Sequence, residues 1–417
     1  MVGLKTKRFI DYYVGNLILS FMYVFVRFFS KISRRDHSLK ESNSICFIKM
    51  LGGGNLFALY PALYELKKKK HQKFYIVCST SLVGFAKAMG VFEEIWVISD
   101  NSFFEMIKSF FKVCWKMNRK VDTIIDLEVH SRATSILAVA SACRNRIGLL
   151  DSQSMWRRKI YSHGIYHNPS KARYVPYDSI APMFGVKKIN IEESRGVFAH
   201  FLENQEKTQL LQRIQSERFV VLAVGCSDLS HERKLPIERW RFIVENLLNY
   251  SDKIVFLGDK KDSLVVEEIL ETIGYSEKII NLCGKCSLIG SLQVLSKSQA
   301  FLGVDSALIH FSRFLNIPTV GFWGPTEPES LLRPLKLKEL HLFEAVPCSP
   351  CVHFSLSSPC GGQNLCMEHS NEKILKALFF IKSENTFEMK KNIFQHSWIY
   401  YPNEVKPRSC YVEINMA

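Results

Sequence analysis

Ala300-Phe301-Leu302-Gly303-Val304-Asp305-Ser306-Ala307-Leu308-Ile309-His310, followed at once by Thr319-Val320-Gly321-Phe322-Trp323-Gly324-Pro325-Thr326, decides the fold. Each is an apolar strand that stops at small or polar residues and turns toward a helix. That geometry aims backbone N–H groups at whatever sits at the strand's end. Far upstream, Ile45-Cys46-Phe47-Ile48-Lys49 runs into Met50-Leu51-Gly52-Gly53-Gly54-Asn55 with the same form. One such signature in each half predicts two nucleotide-fold domains facing each other across a cleft, an architecture suited to joining two substrates.

The rest of the chain agrees with an α/β class. Ser44–Lys49, Lys73–Cys78, Glu94–Ile98, Val121–Leu127 and Arg144–Leu149 read as strands of the first half. Phe219–Val224, Lys253–Leu257, Lys278–Leu282, Gln299–Leu302 and Thr319–Phe322 read as strands of the second. Leu56, Leu59, Leu63 and Leu66 fall at helical spacing and predict a helix over Asn55–Lys70. Its terminal run Lys67–Lys70 complements the helix dipole, a solvated end rather than a binding patch. Pro236 opens a helix, Ser287 caps another, and Lys373–Lys382 is helical. Alternating strands and helices imply mostly parallel sheets. The implied division is 1–43 as a hydrophobic and basic leading segment, 44–204 and 218–346 as the two domains, 347–384 as a cysteine-rich loop with a closing helix, and 385–417 as a tail without an assignable role. Residues 150–217 hold many aromatic and basic side chains and read as irregular excursions that shape an acceptor pocket, ending in a linker.

Composition bounds the function. The 417 residues are 47% apolar and 23% charged, enough for two full cores. The formal charge of +15 favours polyanionic partners. The basic residues are scattered and no nucleic-acid-binding motif occurs, so an anionic membrane or substrate is the expected partner and nucleic acid is not. Twelve cysteines without a cleavable signal, several inside apolar strands, indicate a reducing compartment. Phe9 to Phe29 is rich in apolar and aromatic residues but is interrupted by Asp11, Asn16 and Arg27, with basic residues on both flanks. This predicts a hydrophobic helix lying on an anionic inner leaflet, in a cytoplasmic protein peripheral to that membrane. Spanning the bilayer and packing on the protein's own surface are the alternatives.

Several residues converge on phosphate chemistry. Asp305, Ser306 and Ala307 at a helix start offer amides, a hydroxyl and a carboxylate. His310 lies on the same helix, within reach of a phosphate oxygen or else bonded to backbone. Gly324, Pro325 and Thr326 form a second small-residue loop. Arg233 and Lys234 precede Pro236 and are placed to face a diphosphate, and Asp262 follows the Gly258 strand end, suited to a ribose hydroxyl.

Together the stretches Gly303–His310 and Gly321–Thr326 resemble glycosyltransferase family 9, the bacterial heptosyltransferase-like enzymes of lipopolysaccharide synthesis. The resemblance extends more weakly to Gly54-Asn55-Leu56, Pro61-Ala62-Leu63 and Asp126-Leu127-Glu128. It implies a GT-B fold of two Rossmann-like domains, with the donor nucleotide-sugar in the carboxyl-terminal one. It further implies an inverting transfer, usually from an ADP-heptose sugar, to a lipid-linked oligosaccharide. No metal is needed if cationic side chains and helix N-termini hold the leaving diphosphate.

One position departs from the family pattern. The first loop normally reads Gly-Asp, with the Asp as presumed general base, and here the match is Asn55. An amide cannot take a proton at neutral pH, and Asn is a good helix cap. The reading is a relocated base, with Glu128 the first candidate and His130 and Asp126 behind it. The flexible Gly52-Gly53-Gly54 loop still lets an acceptor approach the backbone. The rivals are a nucleotide-sugar epimerase of GT-B fold and a degenerate transferase that only binds or scaffolds. Cys348-x₂-Cys351 and Cys360-x₅-Cys366 resemble a structural zinc knuckle, with a thiol-rich loop as the alternative. No cofactor is expected for catalysis itself.

Overall fold

The computed structural model describes residues 4–32, 36–40, 42–70, 72–207, 214, 217–227, 230–249, 253–352, 358–382 and 398–400. The chain forms two compact units, Met1–Phe198 and Ala199–Ala417. The division falls inside a helix, earlier than the linker expected near Asn204–Glu217.

In unit 1 the strands are β1 (Ser44–Lys49), β2 (Lys73–Ser79), β3 (Glu94–Ile98), β4 (Thr123–Asp126), β5 (Asn145–Leu150) and β6 (His163–Tyr166). They form one sheet in the order β3-β2-β1-β4-β5-β6, and every pairing is parallel. β1 is buried along nearly its whole length, as expected of a parallel strand covered on both faces. The helices are α1 (Leu4–Ile32), α2 (Gly53–Ala58), α3 (Tyr60–Lys70), α4 (Val83–Met89), α5 (Phe103–Lys120), α6 (Arg132–Ala140), α7 (Val175–Asp178), α8 (Ile180–Met183) and α9 (Ile191–Glu203). The helix read over Asn55–Lys70 is thus two helices, broken at Leu59. β6 was not legible because half of its four residues, His163 and Gly164, carry no strand signal.

The leading segment is not a separate piece. α1 lies along α6 in the same unit. Asp11 accepts hydrogen bonds from the Arg132 and Ala133 amides at the start of α6, and Asn16 accepts from Arg132 Nε at 2.5 Å. Two of the polar residues that interrupt the apolar run, Asp11 and Asn16, thus dock it. Leu19 joins the core built from Ile48, Val77, Val113, Met117 and Leu137. Among the described residues no helix is long and apolar enough to cross a membrane.

In unit 2 the strands are β7 (Phe219–Ala223), β8 (Lys253–Phe256), β9 (Ile279–Asn281), β10 (Ala300–Val304), β11 (Thr319–Trp323), β12 (Glu339–Phe343) and β13 (Trp398–Tyr400). The order is β13-β12-β11-β10-β7-β8-β9, parallel except for the antiparallel edge strand β13. The helices are α10 (Ile237–Leu248), α11 (Asp262–Ile273), α12 (Leu288–Ser296), α13 (Ala307–Phe314), α14 (Pro328–Leu331) and α15 (Asn371–Lys382). Ser287 caps α12 by accepting from the Gly290 amide at 3.1 Å. Pro236 stands one position before α10, at its cap. The closing helix α15 packs into the unit 2 core through Ile374, Ala377, Leu378 and Phe380, so 347–384 is part of this unit. Most of the tail 385–417 lies outside the described residues.

Candidate functional site

In open parallel sheets the loops after the strands' carboxyl ends carry function. In unit 1 the loops after β1, β4 and β5 follow mutually paired strands. Gly52 takes the left-handed conformation at φ 83°, which glycine adopts without a Cβ penalty, and serves as the cap of α2. Asn55 is the third residue of that helix, not its cap, and its side chain makes no hydrogen bond among the described residues.

Glu128 is a brace. One carboxylate oxygen accepts from Lys49 Nζ at 2.9 Å, from the Met50 amide at 2.8 Å and from the Leu51 amide at 3.2 Å. Burial alone would raise its pKa. The Lys49 charge and these donors instead hold it below the usual carboxylate range. A carboxylate so engaged fixes the turn into Gly52–Gly54 and is a poor proton acceptor. Asp126 is buried outright, bonded to Arg157 Nη2 at 2.5 Å and to the Tyr161 hydroxyl. The spacing of Arg157 and Tyr161 from Asp126 carries no local signal of this partnership. Asp126 is a structural ion pair without access to a substrate.

His130 differs from both. Its side chain is 59% exposed, and Nε2 lies 3.3 Å from Asp151 Oδ2. Asp151 is itself buried and follows β5 directly. Its other oxygen accepts from the Gln153 and Ser154 amides at 3.0 and 2.8 Å. A fixed carboxylate thus stands beside one ring nitrogen, and the rest of the imidazole is open to solvent, an arrangement suited to a proton acceptor. His167, after β6, feels both groups, and burial lowers its pKa.

In unit 2, Ser306 begins α13 as its cap but does not bond the helix amides. Its Oγ is buried without a hydrogen-bond partner among the described residues, and so is Oγ1 of Thr326. These hydroxyls follow β10 and β11, which pair in parallel. Arg233 is not the free diphosphate clamp expected of it. Its Nη1 donates to the Asp305 carbonyl at 3.1 Å and lies 3.3 Å from Oδ2. Its Nη2 donates to Ser227 Oγ at 2.8 Å, and Nε to the Ser230 carbonyl at 3.3 Å. It holds the Asp305 turn in shape, and the neighbouring Lys234 is the exposed cation. His310 is half-buried, and burial pushes its imidazole down to about 4. At neutral pH it is uncharged, so it offers a phosphate one N–H rather than a positive charge. Its imidazole has no hydrogen-bond partner among the described residues, contrary to the backbone-bonded alternative. Asp262 packs against Gly225 and Gly258, and its Oδ2 accepts from the Asp259 amide at 2.9 Å.

The cysteine-rich segment clamps the second loop. The Cys351 and Val352 amides both donate to the Pro325 carbonyl at 3.0 Å, and the Ser349 hydroxyl donates to the Gly324 carbonyl. A Cβ on Gly324 would stand 2.4 Å from the Cys366 carbonyl oxygen, so only glycine fits there. Cys348, Cys351, Cys360 and Cys366 influence one another electrostatically, and burial pushes Cys366 up to about 11. Among the described residues, however, no three His, Cys, Asp or Glu side chains are set to hold one metal ion.

Comparison with known proteins agrees with this architecture. The sequence profile of glycosyltransferase family 9 (heptosyltransferase) matches residues 114–360. Lipooligosaccharide heptosyltransferase 2 of Haemophilus influenzae is 24% identical over 129 residues, 30% of this chain and 37% of that protein. Lipopolysaccharide heptosyltransferase 1 of Pseudomonas aeruginosa is 34% identical over 68 residues, 16% of this chain and 19% of that protein. These alignments thus span well under half of the curated relatives' length. Among solved structures, the ADP-heptose lipopolysaccharide heptosyltransferase II of Escherichia coli superposes with a TM-score of 0.60 at 14% identity, covering 81% of this chain and 98% of that one. A family 9 glycosyl transferase of Veillonella parvula gives 0.62 at 19% identity, covering 81% and 97%. Two parallel-sheet units of GT-B type, bearing that profile across more than half of the sequence, establish that the chain belongs to glycosyltransferase family 9, the heptosyltransferase family.

Proposed function

We propose that the protein is an inverting glycosyltransferase that moves a heptose-like sugar from a nucleoside diphosphate to a lipid-linked cell-envelope oligosaccharide. Unit 2 takes the donor, and unit 1 takes the acceptor at the face of an anionic membrane. The observation that carries this reading is the pair of buried hydroxyls, Ser306 at the uncapped start of α13 and Thr326 on the loop after the neighbouring strand β11, neither with a partner among the described residues. Buried polar groups are almost always hydrogen-bonded, and a helix N-terminus with free amides is an anion site. A diphosphate satisfies all of these groups at once. The relatives named for ADP-heptose chemistry support an ADP-sugar as donor.

In the proposed reaction the acceptor hydroxyl attacks the anomeric carbon, and the bond from that carbon to the diphosphate oxygen breaks. The hydroxyl proton passes to His130, oriented by Asp151. The α13 amides, the Ser306 and Thr326 hydroxyls, the His310 N–H and Lys234 receive the charge on the leaving group. No metal is assigned a step. The base is placed at His130 rather than Glu128, one of whose carboxylate oxygens already serves three donors.

The test is release of nucleoside diphosphate in the presence of a chelator, with ADP-, UDP- and GDP-sugars, with and without a lipid-linked acceptor. Acceptor-dependent release supports transfer. Turnover of the donor without acceptor supports the epimerase, and binding without turnover supports a scaffold that has lost its base with Asn55.

A further inference from the structure

We propose that α5 carries a second membrane-docking surface, an apolar row flanked by a basic row, which lies with α1 on one face of unit 1 and binds anionic lipid headgroups. α5 has three faces. Val113, Cys114 and Met117 are buried in the core. Phe104, Ile107, Phe111 and Trp115 succeed one another at three- and four-residue spacing, so they form one continuous stripe. That stripe faces outward, with Phe104 83%, Phe111 67% and Trp115 56% exposed. Next to it run Lys108, Lys112 and Arg119, also exposed, with the Arg119 guanidinium 4.2 Å from the Trp115 ring centroid.

A soluble helix of this kind would present polar residues where α5 presents four large apolar ones. An apolar stripe edged by cations is the pattern of a helix that lies in a bilayer interface, with Trp at the headgroup level and basic residues on anionic lipid. The position of α5 supports the same occupant. Leu19 of α1, Leu137 of α6 and Met117 of α5 share one core, so the three helices cover the same face of the sheet. On that face α1 presents its own outward row of Phe9, Tyr13, Leu17, Phe21 and Val24, with Leu17 74% exposed. Two apolar rows and a basic row, on a chain with a net charge of +15, are complementary to an anionic bilayer. The inference deepens the proposed membrane-held acceptor, but lipid binding can be measured without any sugar transfer.

The experiment is co-sedimentation of the full chain with vesicles of phosphatidylcholine alone and of phosphatidylcholine mixed with phosphatidylglycerol. The expected result is strong preference for the mixed vesicles. Lys108→Gln with Lys112→Gln should lower that partitioning roughly thirty-fold, or ~2 kcal/mol, since each basic residue near an anionic surface contributes about 1 kcal/mol. Phe111→Ser with Trp115→Ser should lower partitioning to both vesicle types, with an unchanged circular dichroism spectrum because these side chains lie outside the core. Partitioning of either variant equal to the parent overturns the proposal. So does a drop in oligomeric state by ultracentrifugation with lipid binding intact, which would make a second copy the occupant. If the α5 variants lose lipid binding while no nucleotide-sugar binds even the parent, the docking surface stands and the transferase reading falls. Intact transfer to a detergent-solubilised acceptor by the same variants would leave both in place.

Discussion

Glu128→Gln separates a brace from a base. Lys49 and Glu128 form an ion pair with side chains 7% and 18% exposed. The glutamate holds the Lys49 pKa above its ordinary value against the opposing effect of burial. Glutamine keeps an oxygen for the Met50 and Leu51 amides but removes the counter-charge, leaving a buried ammonium alone. Breaking a buried pair from one side costs about 3–5 kcal/mol, and the residual exposure of Glu128 puts this case near ~3 kcal/mol. With a urea m-value of roughly 2–3 kcal/mol/M, the unfolding midpoint of unit 1 should fall by about 1 M. Adding Lys49→Met removes the orphaned charge and should recover most of the loss. The pH dependence has a definite sign. The folded carboxyl sits below its unfolded value of about 4.3, so its contribution is complete above that pH and disappears as pH falls through the depressed value. The gap between parent and Glu128→Gln should therefore close in acid. Transfer by Glu128→Gln at a temperature where it stays folded should fall only modestly. His130→Ala should do the reverse, keeping the midpoint and losing about 10²–10⁴ in kcat. A Glu128→Gln variant with parental stability and abolished transfer would refute this reasoning and restore Glu128 as the base.

Three further outcomes are expected. Arg233→Met leaves Asp305 buried without its partner and should destabilise unit 2 by about 3 kcal/mol while weakening donor binding, as read by denaturation and titration. Gly324→Ala forces a Cβ against the Cys366 carbonyl and should cost about 1–3 kcal/mol in thermal unfolding. The unfolded His310 binds a proton at about 6.5 and the folded one at about 4. Between those values the unfolded state holds more protons, so stability falls as pH drops; His310→Gln should remove a loss on the order of 2–3 kcal/mol by pH 4.

The two-sheet architecture was legible because parallel strands buried on both faces are continuous apolar runs, as at Phe219–Ala223 and Ala300–Val304. Strands without that signature escaped. His163-Gly164-Ile165-Tyr166 is an edge strand, and Glu339-Leu340-His341-Leu342-Phe343 hides polar side chains that pair inside unit 2, where Glu339 binds Arg313 and His341. The donor loops were legible for the opposite reason, since small and polar residues at a strand's end are a local signal. What Arg233, Glu128 and Asp126 do was not. Each is engaged by partners 72, 79 and 31 residues away, and no local pattern reveals that a charge is already spent. His130 is legible as a candidate base, but Asp151, which sets it apart, comes beside it only through the pairing of β4 with β5.

The most direct measurement is titration calorimetry of the full chain with ADP-, UDP- and GDP-sugars, repeated on Ser306→Ala and Thr326→Ala. The expected result is saturable binding of one nucleotide class by the parent and a loss of at least about tenfold in each variant, because a hydrogen bond to a charged group contributes about 1.5–3 kcal/mol. Each variant should unfold no earlier than the parent, since the hydroxyl it removes has no partner among the described residues. Absence of binding with every sugar nucleotide, or affinity indifferent to both substitutions, would contradict the assignment of unit 2 as the donor site.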